Sequence, residues 1–211
     1  MLEPETLVFV IDDDDSVRRA LARLIRSAGH SVEVFASARE FLAEVDVDAH
    51  PACLVLDVQL PDLDGLQLQQ QLGATLPVIF LTGHGDICMT VRAMKAGASD
   101  FLTKPVRDTD LLQAIEHALE SANQRFASRC ERNTLRQRFN RLTPREREVM
   151  ALVVTGRLNK QVAGELGTAE KTIKAHRARV MTKMEVTSLA QLVHMVDRAE
   201  ILSAGDNRPS A

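Results

Sequence analysis

Short apolar runs alternate with segments of helical spacing through the first 120 residues. Runs at 7–11, 53–57 and 78–81 are nearly unbroken in their apolar character, as strands covered on both faces require. Weaker strand signals lie at 32–35 and 99–102. Between the runs, apolar residues recur every three or four positions. Examples are Val17, Leu21, Leu24, Ile25 and Ala28, then Leu66, Leu68 and Leu72, then Ile87, Val91 and Met94. Gly29, Gly73 and Gly97 stand where helix ends are expected. A fifth helix begins near Asp108 and buries Leu111, Leu112, Ile115 and Leu119. Strand–helix units repeated in this way predict an α/β fold, a parallel sheet with helices on both faces.

The pattern changes after residue 120. Residues 121–137 are polar and rich in arginine, with neither Pro nor Gly to break a helix. The segment reads as a linker that prolongs the fifth helix, a mobile tether being the alternative. From 138 to 203 only helical spacing remains. Thr143, Pro144 and Glu146 are a strong helix start, with Thr as cap, Pro at the first position and Glu at the third. Short helices follow at 160–166, 169–184 and 188–202, which predicts a small four-helix bundle. The tail at 204–211 is expected to be disordered.

Composition narrows the function. The 211 residues contain 7 Phe and no Trp or Tyr, which argues against aromatic stacking on single-stranded nucleic acid. No apolar run approaches the length of a membrane span, so no membrane partner is expected. The N-terminal MLEPETLVF lacks the pattern of a secretory signal. The three cysteines (Cys53, Cys88 and Cys130) are far apart and form no CxxC pair, which fits a reducing cytoplasm. Net charge is −3, but it is unevenly divided. Residues 1–120 hold 20 Asp and Glu against 9 Lys and Arg, a net of −11, whereas residues 121–211 carry a net of +8. The basic half is a candidate for nucleic-acid binding.

The acidic half carries its chemistry at the strand ends. Asp12 and Asp13 follow the first strand, Asp57 ends the third, Thr82 ends the fourth and Lys104 follows the fifth. Each of these residues alone also suits a turn or a solvated loop. Together they stand one per strand end. In a doubly wound sheet of order 2-1-3-4-5 they meet at the carboxyl edge, where ligands bind. Three crowded carboxylates call for a hard cation, and oxygen ligands favour Mg²⁺. A cation, Lys104 and the Thr82 hydroxyl would stabilise a transferring phosphoryl group. That leaves Asp57, on a rigid strand, as the nucleophile.

The stretches VFVIDDDDSVRR, CLVLDVQLPDLDGL, VIFLTGHGD and AGASDFLTKP resemble the receiver domain of bacterial two-component response regulators, here spanning residues 5–120. The resemblance implies that Asp57 accepts the phosphoryl group from a sensor histidine kinase. It implies that Asp12, Asp13, Asp57 and the backbone carbonyl of Gln59 hold Mg²⁺, with Mn²⁺ a substitute. Thr82 and Lys104 then bind phosphoryl oxygens, Thr82 and Phe101 form the switch, and Lys104-Pro105 is a cis peptide. The rival reading is an aspartate-nucleophile phosphatase or phosphotransferase, and such enzymes need a second Asp where Gln59 stands. The receiver reading predicts no enzyme beyond its own phosphorylation and dephosphorylation.

Projected at about 100° per residue, the helix at 169–184 turns Ile173, Val180 and Met184 to one side. Lys171, Lys174, Ala175 and Ala178 fall opposite. A small, cationic face suits a DNA major groove. With 160–166 before it, this helix makes a helix-turn-helix. The sequence from LTPRE to the Lys183-Met184 pair resembles the LuxR-type helix-turn-helix of the NarL/FixJ class, closest to a FixJ-like subgroup. The DNA-binding set is Lys160, Lys171, Thr172, Lys174, Ala175, Arg177, Ala178 and Arg179. His176, at the edge of the buried sector, reads as a satisfied structural histidine. Glu185 stands where the family often has Gly, so a positive φ is expected there. Met195 is surplus to the last helix's apolar stripe and leaves room for a dimer contact. The resemblance implies a cytoplasmic bacterial regulator that forms homodimers on activation and binds promoter DNA, with RNA polymerase a possible further partner.

Overall fold

The computed structural model describes residues 6–61, 63–73, 75–83 and 87–199. The chain divides into two compact units between Ala127 and Ser128. The tail at 204–211 and the expected end of the last helix at 200–202 lie outside the described residues.

The first unit is a parallel sheet of β1 (Leu7–Ile11), β2 (Ser31–Phe35), β3 (Ala52–Asp57), β4 (Val78–Thr82) and β5 (Asp100–Thr103), in the order β2-β1-β3-β4-β5. The helices α1 (Asp15–Ser27), α2 (Ala38–Glu44), α3 (Gly65–Leu72) and α4 (Ile87–Lys95) alternate with the strands. Strand alternation sorts the core into two layers. Phe9, Ile11, Leu54, Leu56, Val78 and Phe80 pack with α2, α3 and α4. Val8, Val10, Cys53, Val55, Ile79 and Leu81 pack with α1 and with α5 (Asp108–Asn140). The three central strands are buried along almost their whole length, and β2 and β5 are the half-exposed edges. The predicted bounds differ by one residue at β2, β3, β4 and β5 alike, because strand ends carry a weaker signal than strand interiors.

Two local devices set the site's edge. Asp14 caps α1, its Oδ1 accepting from the N–H of Ser16 at 2.7 Å and of Val17 at 3.3 Å. Gly65 opens α3 against the end of β3, where an added Cβ would lie 3.0 Å from the Asp57 carbonyl oxygen and 3.2 Å from the Phe80 ring.

Helix α5 runs unbroken for 33 residues through the arginine-rich segment. The second unit contains its last turns and α6 (Pro144–Val154), α7 (Asn159–Glu165), α8 (Glu170–Met184) and α9 (Leu189–Ala199). The α6 start is a full capping box: Thr143 Oγ1 accepts from the Glu146 N–H, and Glu146 Oε2 accepts from the Thr143 N–H. Val149, Val153, Val162, Ala163 and Ile173 form one small core. Leu142, Met150, Val180, Met184, Leu192 and Val196 form the other. Met195 is half-buried and packs against Leu135 of α5. No described helix is long and apolar enough to cross a membrane.

Candidate functional site

The carboxyl ends of β1, β3, β4 and β5 bring the acidic residues and their lysine together. Asp12, at 1% exposure, and Asp57 are buried; Asp13 is exposed. One carboxylate oxygen from each of the three lies within 4.8 Å of the others. Lys104 Nζ donates to Asp12 Oδ2 and to Asp57 Oδ2, both at 2.6 Å, across 92 and 47 positions of sequence. The remaining oxygens are engaged by backbone. Asp12 Oδ1 accepts from the Asp14 N–H, and Asp57 Oδ1 from the Gln59 N–H, each at 2.9 Å.

The electrostatics follow from this crowding. Burial pushes the Asp12 carboxyl above its usual range, although Lys104 and the Asp14 N–H pull the other way. Burial by itself would lower the Lys104 ammonium, but hydrogen bonds to two carboxylates hold it above its ordinary value. Lys104 therefore stays charged and partly neutralises a set of three acids. Hard, closely set oxygens of this kind fit a divalent cation such as Mg²⁺.

Thr82 is buried at the end of β4, where its carbonyl accepts from the Lys104 N–H at 2.7 Å. The Lys104-Pro105 peptide is cis. Phe101 is half-buried, its ring centroid 6.1 Å from that of Phe80. One neighbour was not foreseen: Arg18 Nη1 donates to the Asp12 carbonyl at 2.6 Å and braces the loop after β1. Arg18 is one of several arginines in its helix, and no spacing rule singles it out.

On α8, Ile173, Val180 and Met184 are buried, and Lys171, Thr172, Lys174, Ala175, Ala178 and Arg179 are exposed. Lys160, on α7, is exposed too. Lys174 Nζ lies 3.4 Å from Glu170 one turn earlier, an exposed pair that water weakens. Arg177 differs from the rest of the set. It is half-buried, and its Nη1 donates to Asn159 Oδ1 at 3.2 Å, tying α8 to the start of α7. His176 is not fully satisfied: its Nδ1 is buried without a hydrogen-bond partner among the described residues.

Two family models match the chain. The response regulator receiver domain matches residues 8–116, and the bacterial regulatory proteins of the luxR family match residues 140–196. Nodulation protein W of Bradyrhizobium diazoefficiens is 51% identical over 194 residues, covering 90% of this chain and 85% of its own. The transcriptional regulatory protein FixJ of Azorhizobium caulinodans is 41% identical over 211 residues, covering 98% of this chain and 100% of its own. Among solved structures, a low-resolution structure of the response regulator StyR is similar with a TM-score of 0.83 at 49% identity, covering 92% of this chain and 99% of that one.

Proposed function

Because the chain belongs to the response regulators of two-component systems, with a receiver ahead of a LuxR-family domain, we propose that it is a transcription regulator switched by phosphorylation of Asp57. The observation that carries this reading is Lys104, held 2.6 Å from both Asp12 and Asp57 at the carboxyl edge of the sheet.

In the proposed reaction an Asp57 carboxylate oxygen attacks the phosphorus of a phosphohistidine on a sensor histidine kinase. A P–O bond forms as the P–N bond breaks, and the imidazole leaves. Lys104 is already poised at the reacting carboxylate and shifts its ammonium to an incoming phosphoryl oxygen. The buried Thr82 hydroxyl donates to another, and Phe101 follows it inward. Asp12, Asp13, Asp57 and the Gln59 carbonyl would hold Mg²⁺, or Mn²⁺ in its place, which when bound neutralises the crowded carboxylate and phosphoryl oxygens. The chain turns over no other substrate.

The added charge, about −1.5 to −2, changes the surface around α4, β5 and α5. Ile87, Val91 and Met94 form an exposed apolar stripe on α4 that supports dimerisation of the phosphorylated form. The exposed face of α8 then enters the major groove of promoter DNA, with Lys171, Thr172, Lys174, Ala175 and Ala178 toward the bases. Lys160, Arg177 and Arg179 lie toward phosphates. RNA polymerase is a further partner of a promoter-bound regulator, and with DNA as its target the chain works in the bacterial cytoplasm.

Intact mass after incubation with acetyl phosphate tests the reading. One phosphoryl adduct is expected, dependent on Mg²⁺ and absent from Asp57→Asn. An adduct that persists in that variant would remove Asp57 from its role.

A further inference from the structure

Helix α8 ends in a strained residue. Glu185 has φ 56° and ψ 44°, the one non-glycine residue in the left-handed region among those described. The turn is a Schellman motif, in which the Glu185 N–H donates to the Thr182 carbonyl at 3.1 Å and the Val186 N–H to the Met181 carbonyl at 3.0 Å. Glycine suits this position without strain, because a Cβ crowds the backbone there. The helix keeps a glutamate instead.

Its carboxylate is held by the end of α5. Arg138 Nη2 lies 2.6 Å from Glu185 Oε2, and Arg141, just beyond the helix, reaches Glu185 Oε1 at 3.5 Å. Arg138 Nη1 also donates to the Met184 carbonyl at 3.4 Å, one of the carbonyls left open at the helix end. On the same stretch of α5, Leu135 is buried, with Phe139, and Met195 of α9, packed against it. The last turns of α5 are therefore docked on the bundle by an apolar face and by two cations.

Global stability is a weak reason for this arrangement. Glu185 and Arg141 are both more than half exposed, and the closer pair with Arg138, itself 21% exposed, still leaves the Glu185 carboxylate half in water, where ion pairs add little. The backbone of Glu185 works against folding. The clamp instead fixes where the end of α8 sits relative to α5.

We propose that Arg138, Arg141 and Glu185 form a joint through which the end of α5 sets the pose of α8, making Glu185 a positioning residue for DNA recognition. The inference rests on the reading of α8 as the DNA-reading helix. It predicts that the carboxylate matters for binding even where its removal relaxes the backbone.

The test uses the full chain, phosphorylated with acetyl phosphate, and a duplex that the wild type selects from a random-sequence pool. Thermal melting and duplex affinity are measured for E185G, R138A/R141A and the triple variant. E185G is expected to melt no lower than wild type yet to bind about tenfold more weakly, a change typical of residues coupled to a binding site without touching the ligand. R138A/R141A is expected to lose a similar factor, and the triple variant no more than either, because all three remove one interaction. Wild-type affinity in E185G would overturn the proposal, as would losses that multiply in the triple variant. Lys174→Ala serves as the control for the parent reading. If it binds as tightly as wild type, or if the wild type selects no duplex, the role of α8 falls and the joint with it. If Lys174→Ala weakens binding and E185G does not, only the joint falls.

Discussion

Lys183 Nζ donates to Glu146 Oε2 at 2.6 Å, joining the last turn of α8 to the first turn of α6 across 37 positions of sequence. The same carboxylate oxygen accepts from the Thr143 N–H, so one buried glutamate closes a capping box and an ion pair together. The lysine ammonium and the backbone N–H hold the Glu146 carboxyl below its ordinary value of 4.5. A carboxyl depressed by folding adds stability that is fully present above its unfolded pKa and is lost as pH falls through its folded one. E146Q is therefore expected to lower stability near neutral pH by about 1.5–3 kcal/mol, the range for a hydrogen bond to a charged group. The gap between variant and wild type in urea midpoint should close as the pH is taken from 7 toward 3. A gap that stays constant over that range would mean the charge of Glu146 does not matter.

Gly65 and Gly164 make opposite predictions from the same substitution. A Cβ on Gly65 would meet backbone, the Asp57 carbonyl at 3.0 Å and the Val58 Cα at 3.2 Å, neither of which swings aside as a side chain can. G65A should destabilise the first unit by about 1–3 kcal/mol, as overpacking does, and slow phosphorylation by displacing Asp57. Gly164 lies within α7 with nothing inside 4 Å of its added Cβ. G164A should stabilise by about 0.5–1 kcal/mol. Melting curves of the two variants decide the matter, and a neutral G65A would show that the end of β3 can yield.

The acidic cluster predicts how the fold responds to a cation. Three carboxylates with a single lysine keep an excess of negative charge at one edge. A divalent ion that binds only the folded state stabilises it by mass action, about 2.7 kcal/mol at a concentration a hundredfold above its dissociation constant. The melting temperature of the wild type should rise with added MgCl₂ and reach a plateau. D13N, which removes an exposed ligand without opening the core, should shift that plateau to higher MgCl₂ or abolish it. A wild-type melting temperature indifferent to MgCl₂ would count against a cation at this site.

Most of the first unit was legible because its strands are short, apolar and separated by well-marked helices. The meeting of Asp12, Asp57 and Lys104 followed from placing each polar residue at a strand end of a sheet ordered 2-1-3-4-5, an order taken as the condition and found in the sheet. The left-handed backbone at Glu185 was expected only from the family resemblance, in which Gly often stands at that position, because a glutamate carries no such signal of its own. Side-chain contacts set by the folded geometry were not legible. Lys183 on Glu146 and Arg138 on Glu185 join distant segments, and Arg18 reaches the Asp12 carbonyl six positions away, a separation that carries no period. The half-buried Met195 has a partner that was not foreseen for the same reason. The apolar stripe of α9 was counted correctly, but nothing in the polar stretch before residue 138 announced that Leu135 would cover it.

Arg177 and Lys174 lie on one helix, yet the structure separates their roles. Lys174 is exposed, its nearest partner a glutamate one turn away, and its loss should leave the bundle intact. K174A is expected to keep the wild-type melting temperature and to weaken binding to a selected duplex by about 1–3 kcal/mol, the range for a contact to a base edge. Arg177 is half-buried and donates to Asn159, so it ties α7 to α8 in addition to the phosphate contact proposed for it. R177A should lower both the melting temperature and the affinity. R177K keeps the charge but not the planar fork, and should recover phosphate attraction without restoring the Asn159 tie. The slope of log affinity against log salt separates the two contributions, since each phosphate that the protein neutralises adds about 0.9 to its steepness. R177K is expected to show the wild-type slope at a reduced melting temperature. A wild-type melting temperature in R177A would assign this residue to DNA alone.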